Sequence, residues 1–377
     1  MSYLGEDIKK LGFGCMRLPR ITQEDGTKVI DIEQSKIMVD KFLEAGFTYF
    51  DTAWVYDGSE EAVRKALVER HPRESYQLAT KNAPWVGEKT KEAAIKQLET
   101  SLERTGAGYF DFYLLHNLGQ ERTQYFEDFD LWNWALEKKK EGVIKHLGFS
   151  FHSTAEELEE IIKAHPEAEF VQLQINYSDW DNPTIQSRKV YEVARKYNLP
   201  VVIMEPVRGG NLANPPETVR KVFDEADPTR SYSSWAIRYA ADKEGLITVL
   251  SGMSNIEQME DNIKTMKDFT GLTEEERQVI ERAREEFAKI PLVPCTSCDY
   301  CAKVCPQQIG ISGSFTALNA YLMYNNMEYA KGRIDWLVKR NEYKEASECI
   351  QCGACEEACP QHIAIRDELK RVAEIIR

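Results

Sequence analysis

The sequence predicts a (β/α)8 barrel of the TIM type followed by a small, mainly α-helical, cysteine-rich domain. Three observations carry this. The 377 residues exceed the usual size of one domain by about a factor of two to three. Before residue 290, eight short apolar segments alternate with amphipathic ones, the count expected of a closed barrel rather than an open sheet. After it, eight of the nine cysteines crowd into two short runs.

The apolar segments expected as strands are Gly12–Gly14, Phe47–Asp51, Gln77–Lys81, Phe110–His116, Ile144–Ser150, Phe170–Leu173, Pro200–Met204 and Leu246–Leu250. Helical spacing marks stretches such as Ile32–Glu44, Ser59–Arg70, Lys91–Arg104, Ala155–Ala164, Thr184–Tyr197 and Ser233–Asp242 between them. No GxGxxG follows the first strand, which argues against a doubly wound dinucleotide fold. At Ile290-Pro291-Leu292-Val293-Pro294 two prolines discourage a helix from continuing, so the boundary is expected there: a barrel over 1–290 and a second domain over 291–377.

Composition narrows the function. Hydrophobic residues at 42% and charged residues at 29% are ordinary globular usage. A net charge of −14 would repel phosphate backbones, so nucleic acid is not an expected partner, and nearly all of that acidity lies before residue 291. The opening segment MSYLGEDIKKLGFGCMRLPR has no signal-like apolar core, and nowhere do 18 uncharged apolar residues follow one another. The expectation is a cytoplasmic protein with no membrane association, acting on small molecules or on other proteins.

The cysteine runs read Cys295-x2-Cys298-x2-Cys301-x3-Cys305-Pro306 and Cys349-x2-Cys352-x2-Cys355-x3-Cys359-Pro360, with identical spacing. Three closely spaced thiolates fit around one cubane, while the cysteine before proline reaches the other cluster. The implied ligands are Cys295, Cys298, Cys301 and Cys359 for one 4Fe-4S cluster, and Cys349, Cys352, Cys355 and Cys305 for the second. A pair of four-cysteine zinc sites is the alternative, but zinc leaves the proline-flanked fourth cysteine unexplained. Cys15, outside both runs, is expected to be a small buried hydrophobe. Between the runs, Phe315, Leu318, Tyr321, Leu322 and Tyr329 recur at helical spacing and are expected to pack as core around the clusters.

In the barrel, Asp51 ends TYFD, Tyr56 follows in the loop, Lys81 ends QLATK and His116 ends DFYLLH. The C-terminal strand ends of such a barrel face one mouth, where active sites are built. Their chemistry is complementary. An ammonium at Lys81 would lower the pKa of the Tyr56 phenol, Asp51 would hold that lysine, and His116 would hydrogen-bond a carbonyl oxygen while Tyr56 protonates it. That is a carbonyl-reducing site for a small-molecule substrate.

With these residues placed, GFTYFDTAWVYDGSEEAVRKAL, LATK, YLLH, GVIKHLGFS and VLSGMSNIEQMEDNI resemble segments of the aldo-keto reductase family, over about three quarters of the chain. The whole chain resembles the ferredoxin-type branch, which implies an oxidoreductase with two 4Fe-4S clusters. The resemblance also implies NADP or NAD. By position the family's nicotinamide contacts fall on Ser150, Gln172 and Met204, with Phe151 in place of an asparagine and Met204 in place of a stacking aromatic. Its adenosine end falls on Gly252, Asn255, Gln258 and Asn262, where Gly252 and Gln258 replace the cations that pair with a 2′-phosphate. Gly209-Gly210 would let a loop approach a pyrophosphate.

Clusters move single electrons and a nicotinamide moves a hydride. Three readings follow: an NAD(P)H-dependent carbonyl reductase whose clusters are structural or vestigial, a ferredoxin-fed enzyme with a flavin such as FMN in the mouth, or an electron-transfer subunit whose clusters only pass electrons to a redox partner protein.

Overall fold

In the computed structural model of the chain, which describes residues 2–376 except 88, 184 and 296, the strands are β1 (Gly12–Gly14), β2 (Arg20–Thr22), β3 (Lys28–Ile30), β4 (Tyr49–Asp51), β5 (Gln77–Asn82), β6 (Phe110–Leu118), β7 (Ile144–Phe151), β8 (Phe170–Gln174), β9 (Val201–Met204) and β10 (Leu246–Ser251). Eight of them close into a parallel barrel in the order β1-β10-β9-β8-β7-β6-β5-β4. The barrel strands are buried on both faces, which is why they read as apolar runs rather than alternating ones.

β2 and β3 form an antiparallel hairpin apart from the barrel, outside the eight expected strands. Its residues are exposed or half-buried, so no apolar run marked it. The expected helix Ser59–Arg70 is α-helical only over Ser59–Val63 and then winds wider over Arg64–Val68. Its first turn is tied beneath the barrel mouth: Ser59 Oγ donates to the Cys15 carbonyl at 2.9 Å and Thr80 Oγ1 donates to Glu60 Oε1 at 2.8 Å. The helix expected from Thr184 runs from Ser187 to Lys196, and Thr184 itself lies outside the described residues, as do the chain ends 1 and 377.

The bottom of the barrel is filled. Tyr49, Phe112 and Phe170 pack in tilted and edge-to-face contacts across it, with ring centroids 5.0 and 5.2 Å apart, beside Leu114, Val202 and Ile247, and Leu4 and Ile8 pack on this cluster. Side chains therefore leave room for chemistry only at the C-terminal mouth.

By proximity the chain groups into two compact units, 1–209 with 233–277 and 210–232 with 278–377. The second unit thus takes in residues before the boundary expected at 290. Within it, helices Ile311–Tyr324, Met327–Asn341 and Ile365–Ile375 surround a core that includes Ile309, Phe315, Leu318 and Leu369 together with Cys301, Cys355 and Cys359. Val293 is pinned to this core by Asn319, which binds both its N–H and its carbonyl at 2.8 Å. Phe315 and Leu318 are buried and Tyr321 and Leu322 pack against them, whereas Tyr329 is 43% exposed and is not part of that core. Among the described residues no helix is long and apolar enough to cross a membrane.

Candidate functional site

Asp51 and Lys81 are brought to the mouth because β4 and β5 end side by side, with Asp51 opposite Ala79 in register. Both side chains are buried, at 3% and 1% exposure. Lys81 Nζ donates to Asp51 Oδ1 at 2.6 Å and to the Thr52 carbonyl at 2.7 Å, so a charge that would be costly alone is doubly satisfied. Its remaining reach is to Tyr56 Oη at 3.4 Å. The imidazole of His116 stands edge-on to the Tyr56 ring, with centroids 6.0 Å apart. The structure therefore brings all four expected residues together.

Burial pushes the Asp51 carboxyl up against the pull of Lys81. For Lys81 burial works downward, but the charges of Asp51 and Tyr56 outweigh it and the ammonium is held protonated. At Tyr56 the net direction corrects the sequence expectation. Burial raises the phenol more than the Lys81 ammonium lowers it, so the resting hydroxyl is a firm proton carrier rather than a nascent phenolate. Burial, followed by the charges of Lys81, His152 and Arg122, holds His116 well below the usual histidine range, so its imidazole is neutral. Among the described residues His116 Nδ1 is buried without a hydrogen-bond partner.

Cys15 is buried beneath this site, as expected of a small hydrophobe. Ser150 and Gln172 lie opposite each other in the β7–β8 register. Ser150 Oγ accepts from the Asn117 N–H at 2.7 Å, and Gln172 Oε1 is buried with no partner among the described residues. An unpaired buried acceptor beside a hydroxyl fits the amide of a nicotinamide. Met204 ends β9 and is half-buried. At the adenosine end the side chains are already engaged: Asn255 Oδ1 caps the helix Ile256–Met266 by accepting from the Gln258 N–H at 2.8 Å, Gln258 Oε1 accepts from the Ser254 N–H at 2.8 Å, and Asn262 donates to Ser251 Oγ at 2.9 Å. The amide donors of Asn255 and Gln258 are what remain for a ligand.

Four residues had escaped the reading of the sequence. Arg17 lays its stem on Gly252 and brings its guanidinium close to Gly209, where an added Cβ would stand 3.1 Å from Nη2, so a cation does border the glycine loop. Glu205 follows Met204 with φ +57°. Trp85 donates from Nε1 to the His116 carbonyl at 3.1 Å, and Arg122 lies over the Trp85 ring. None has a local pattern that marks it: Trp85 and Glu205 lie in loops, and Arg17 and Arg122 end short 3-10 turns.

Six of the eight tail cysteines belong to or pack against one core. Cys301, Cys355 and Cys359 are buried, Cys295, Cys305 and Cys349 are half-buried, and Cys298 and Cys352 are exposed. Burial, then the neighbouring Cys298, Asp299 and Cys359, pushes the Cys295 thiol up; burial, then Glu356, Cys349 and Cys305, pushes Cys355 up to about 11. Cys359 thus lies near the first run and Cys305 near the second. Among the described residues no three His, Cys, Asp or Glu side chains converge on one point as ligands of a single ion would. A cubane spreads its ligands over four irons, so the donor set fits it.

Residues 10–285 match the Aldo/keto reductase family and residues 294–364 a 4Fe-4S dicluster domain. The chain belongs to the aldo/keto reductase family and is an oxidoreductase of that class with a C-terminal 4Fe-4S dicluster domain. It is 26% identical to an uncharacterised oxidoreductase, YqkF, of Bacillus subtilis over 73% of this chain and 92% of that one. It is 28% identical to a methylglyoxal reductase, DkgB, of Escherichia coli O157:H7 over 59% of this chain and 78% of that one. The fold matches the holo form of an aldo-keto reductase from Bacillus halodurans at a TM-score of 0.57 and 28% identity, covering 75% of this chain and 95% of that one.

Proposed function

We propose that the barrel reduces the carbonyl group of a small molecule with NADH or NADPH, and that two 4Fe-4S clusters in the second unit exchange single electrons with a partner protein. The observation that carries the first half is the buried line Asp51–Lys81–Tyr56 beside a neutral His116. The similarity to a methylglyoxal reductase supports a carbonyl substrate.

Because Lys81 donates to the Tyr56 oxygen, the phenol's own O–H is left to point at a ligand. His116, uncharged, offers its ring to the carbonyl oxygen without adding positive charge, and orients that oxygen toward Tyr56. As the proton leaves, the fixed Lys81 ammonium stabilises the phenolate, and Asp51 keeps the ammonium in place. Ser150 and Gln172 would hold the nicotinamide amide, Met204 its ring, and Arg17, Gly252, Asn255, Gln258 and Asn262 the rest of the dinucleotide. Bound there, the nicotinamide would supply the hydride.

The eight thiolates would hold the clusters in crossed sets, Cys295, Cys298, Cys301 and Cys359 against Cys349, Cys352, Cys355 and Cys305. A cytoplasmic setting suits free thiols and clusters, and the domain division near 290 is kept as part of this reading. Tyr56→Phe tests the barrel: carbonyl reduction should fall by about 10²–10⁴-fold, while nucleotide affinity, followed by fluorescence titration, stays within about twofold. Retained turnover would remove Tyr56 from the proton step.

A further inference from the structure

The chain leaving the catalytic strand β6 is held in an unusual shape. Asn117, Gly119 and Gln120 have φ of +62°, +124° and +55°, so three of the four residues after His116 lie in the left-handed half of backbone space. At Gly119 only glycine fits, since a Cβ would stand 2.7 Å from the Ser153 side chain and 3.3 Å from the His152 backbone. Such conformations persist where surrounding structure insists on them, and they gather at functional sites. Here the Asn117 N–H is fixed on Ser150 Oγ at 2.7 Å and the Gly119 N–H on Thr123 Oγ1 at 3.0 Å.

The consequence is the position of Arg122, the last residue of the turn Gln120–Arg122. Its guanidinium lies 4.6 Å from the centroid of the Trp85 ring. That ring is 6.1 Å from the His116 imidazole and is locked to it by the hydrogen bond from Trp85 Nε1 to the His116 carbonyl. Among the described residues the Arg122 side chain has no carboxylate or hydrogen-bonding partner. In a chain with 62 acidic and 48 basic residues, an arginine left without an acid while held on an indole beside the catalytic histidine stands out. Across the mouth, Glu205 follows β9 and its charge bears on Tyr56. Glu205 is countered there by the Arg17 and Arg208 guanidinium groups, so the β9 side is balanced while Arg122 leaves the β6 side positive.

We propose that the substrate of this site is a carbonyl compound carrying a carboxylate, with the carbonyl oxygen on Tyr56 and His116 and the carboxylate paired with the Arg122 guanidinium over Trp85. With the β9 side balanced, Arg122 is the cation that fixes which way round the molecule enters. The carbonyl and the carboxylate must be separated by several bonds, because the Trp85 ring stands 6.1 Å from the imidazole and carries the guanidinium on one face; a rigid para-substituted benzaldehyde spans such a gap along the edge of Trp85. In the reduction the aldehyde carbon gains a hydride from the nicotinamide, the oxygen gains the Tyr56 proton, the nucleotide is oxidised and the carboxylate is unchanged. This inference rests on the carbonyl-reducing reading above.

The test compares 4-formylbenzoate with its methyl ester, in the anaerobically purified full-length protein and in Arg122→Gln, together with binding of the unreactive 4-(hydroxymethyl)benzoate and benzyl alcohol followed by tryptophan fluorescence. In the wild-type protein kcat/KM should favour the acid over the ester by about tenfold or more, and Arg122→Gln should erase that preference by lowering the acid at least tenfold more than the ester. Binding of 4-(hydroxymethyl)benzoate should weaken about tenfold in the variant, and benzyl alcohol should not respond. Equal loss for acid and ester, or no preference for the anion in the wild type, overturns the proposal. If neither aldehyde is reduced yet the anion still binds in an Arg122-dependent way, the carbonyl-reducing reading fails and the anion site stands.

Discussion

At the scale of residues, the site depends on charges that are buried but balanced. Lys81 is enclosed yet bound by Asp51 and the Thr52 carbonyl, and His116 is enclosed and neutral. The histidine has a consequence for stability. Its folded pKa lies well below the usual value near 6.5, so below that pH the unfolded chain binds a proton that the folded protein refuses. Its contribution is complete above about pH 6.5 and is lost as the pH falls toward the folded value, by up to about 1.4 kcal/mol per pH unit. The melting temperature of His116→Gln should therefore gain on that of the wild type as the pH is lowered from about 7 to 5. Parallel melting curves would mean that His116 is not held neutral by the fold. The tetrad was legible in the sequence because each member ends an apolar run or follows one closely. Arg17, Trp85, Glu205 and Arg122 were not, because a lone residue in a loop or short turn takes its meaning from neighbours distant in sequence.

At the scale of elements, strand ends aim the chemistry and the strand-to-helix loops tune it. All eight barrel strands were readable as apolar runs, since parallel strands buried on both faces leave an unbroken trace. Their limits were less so: β4 begins at Tyr49 rather than Phe47, and β7 continues through Phe151. The exposed β2–β3 hairpin and the wider turn over Arg64–Val68 left no trace, because neither depends on a hydrophobic period. The spacing between β7 and β8 is set by Gly148, where an added Cβ would stand 2.5 Å from the Phe170 carbonyl oxygen and 2.6 Å from its ring. Gly148→Ala should push these strands apart, cost about 1–3 kcal/mol in chemical denaturation and move Ser150 away from Gln172, weakening nucleotide binding. An alanine variant with unchanged stability would show that this contact is slack.

At the scale of the whole molecule, an aldo/keto reductase domain and a 4Fe-4S dicluster domain share one chain. The cysteine spacing was the most legible feature of the sequence, because a cubane fixes the interval between thiolates regardless of the surrounding fold. The crossing of Cys305 and Cys359 between the runs has a direct readout. Cys305→Ser should lower the iron content from about eight per chain toward about four, and its remaining cluster spectrum should match that of Cys352→Ser rather than Cys298→Ser. A match to Cys298→Ser would mean that each run serves its own cluster. In the function proposed here the hydride reaction belongs to the barrel alone.

The most direct test of that claim is a single turnover by the anaerobic, iron-loaded protein, with NADH or NADPH deuterated at the transferring C4 position and an aldehyde in excess. The account predicts an alcohol carrying one deuterium on its former carbonyl carbon, an unchanged visible spectrum from the clusters, and no labelled alcohol from Tyr56→Phe. Unlabelled alcohol formed while the clusters bleach or recover would contradict it, and would place the electrons' route through iron rather than through a hydride.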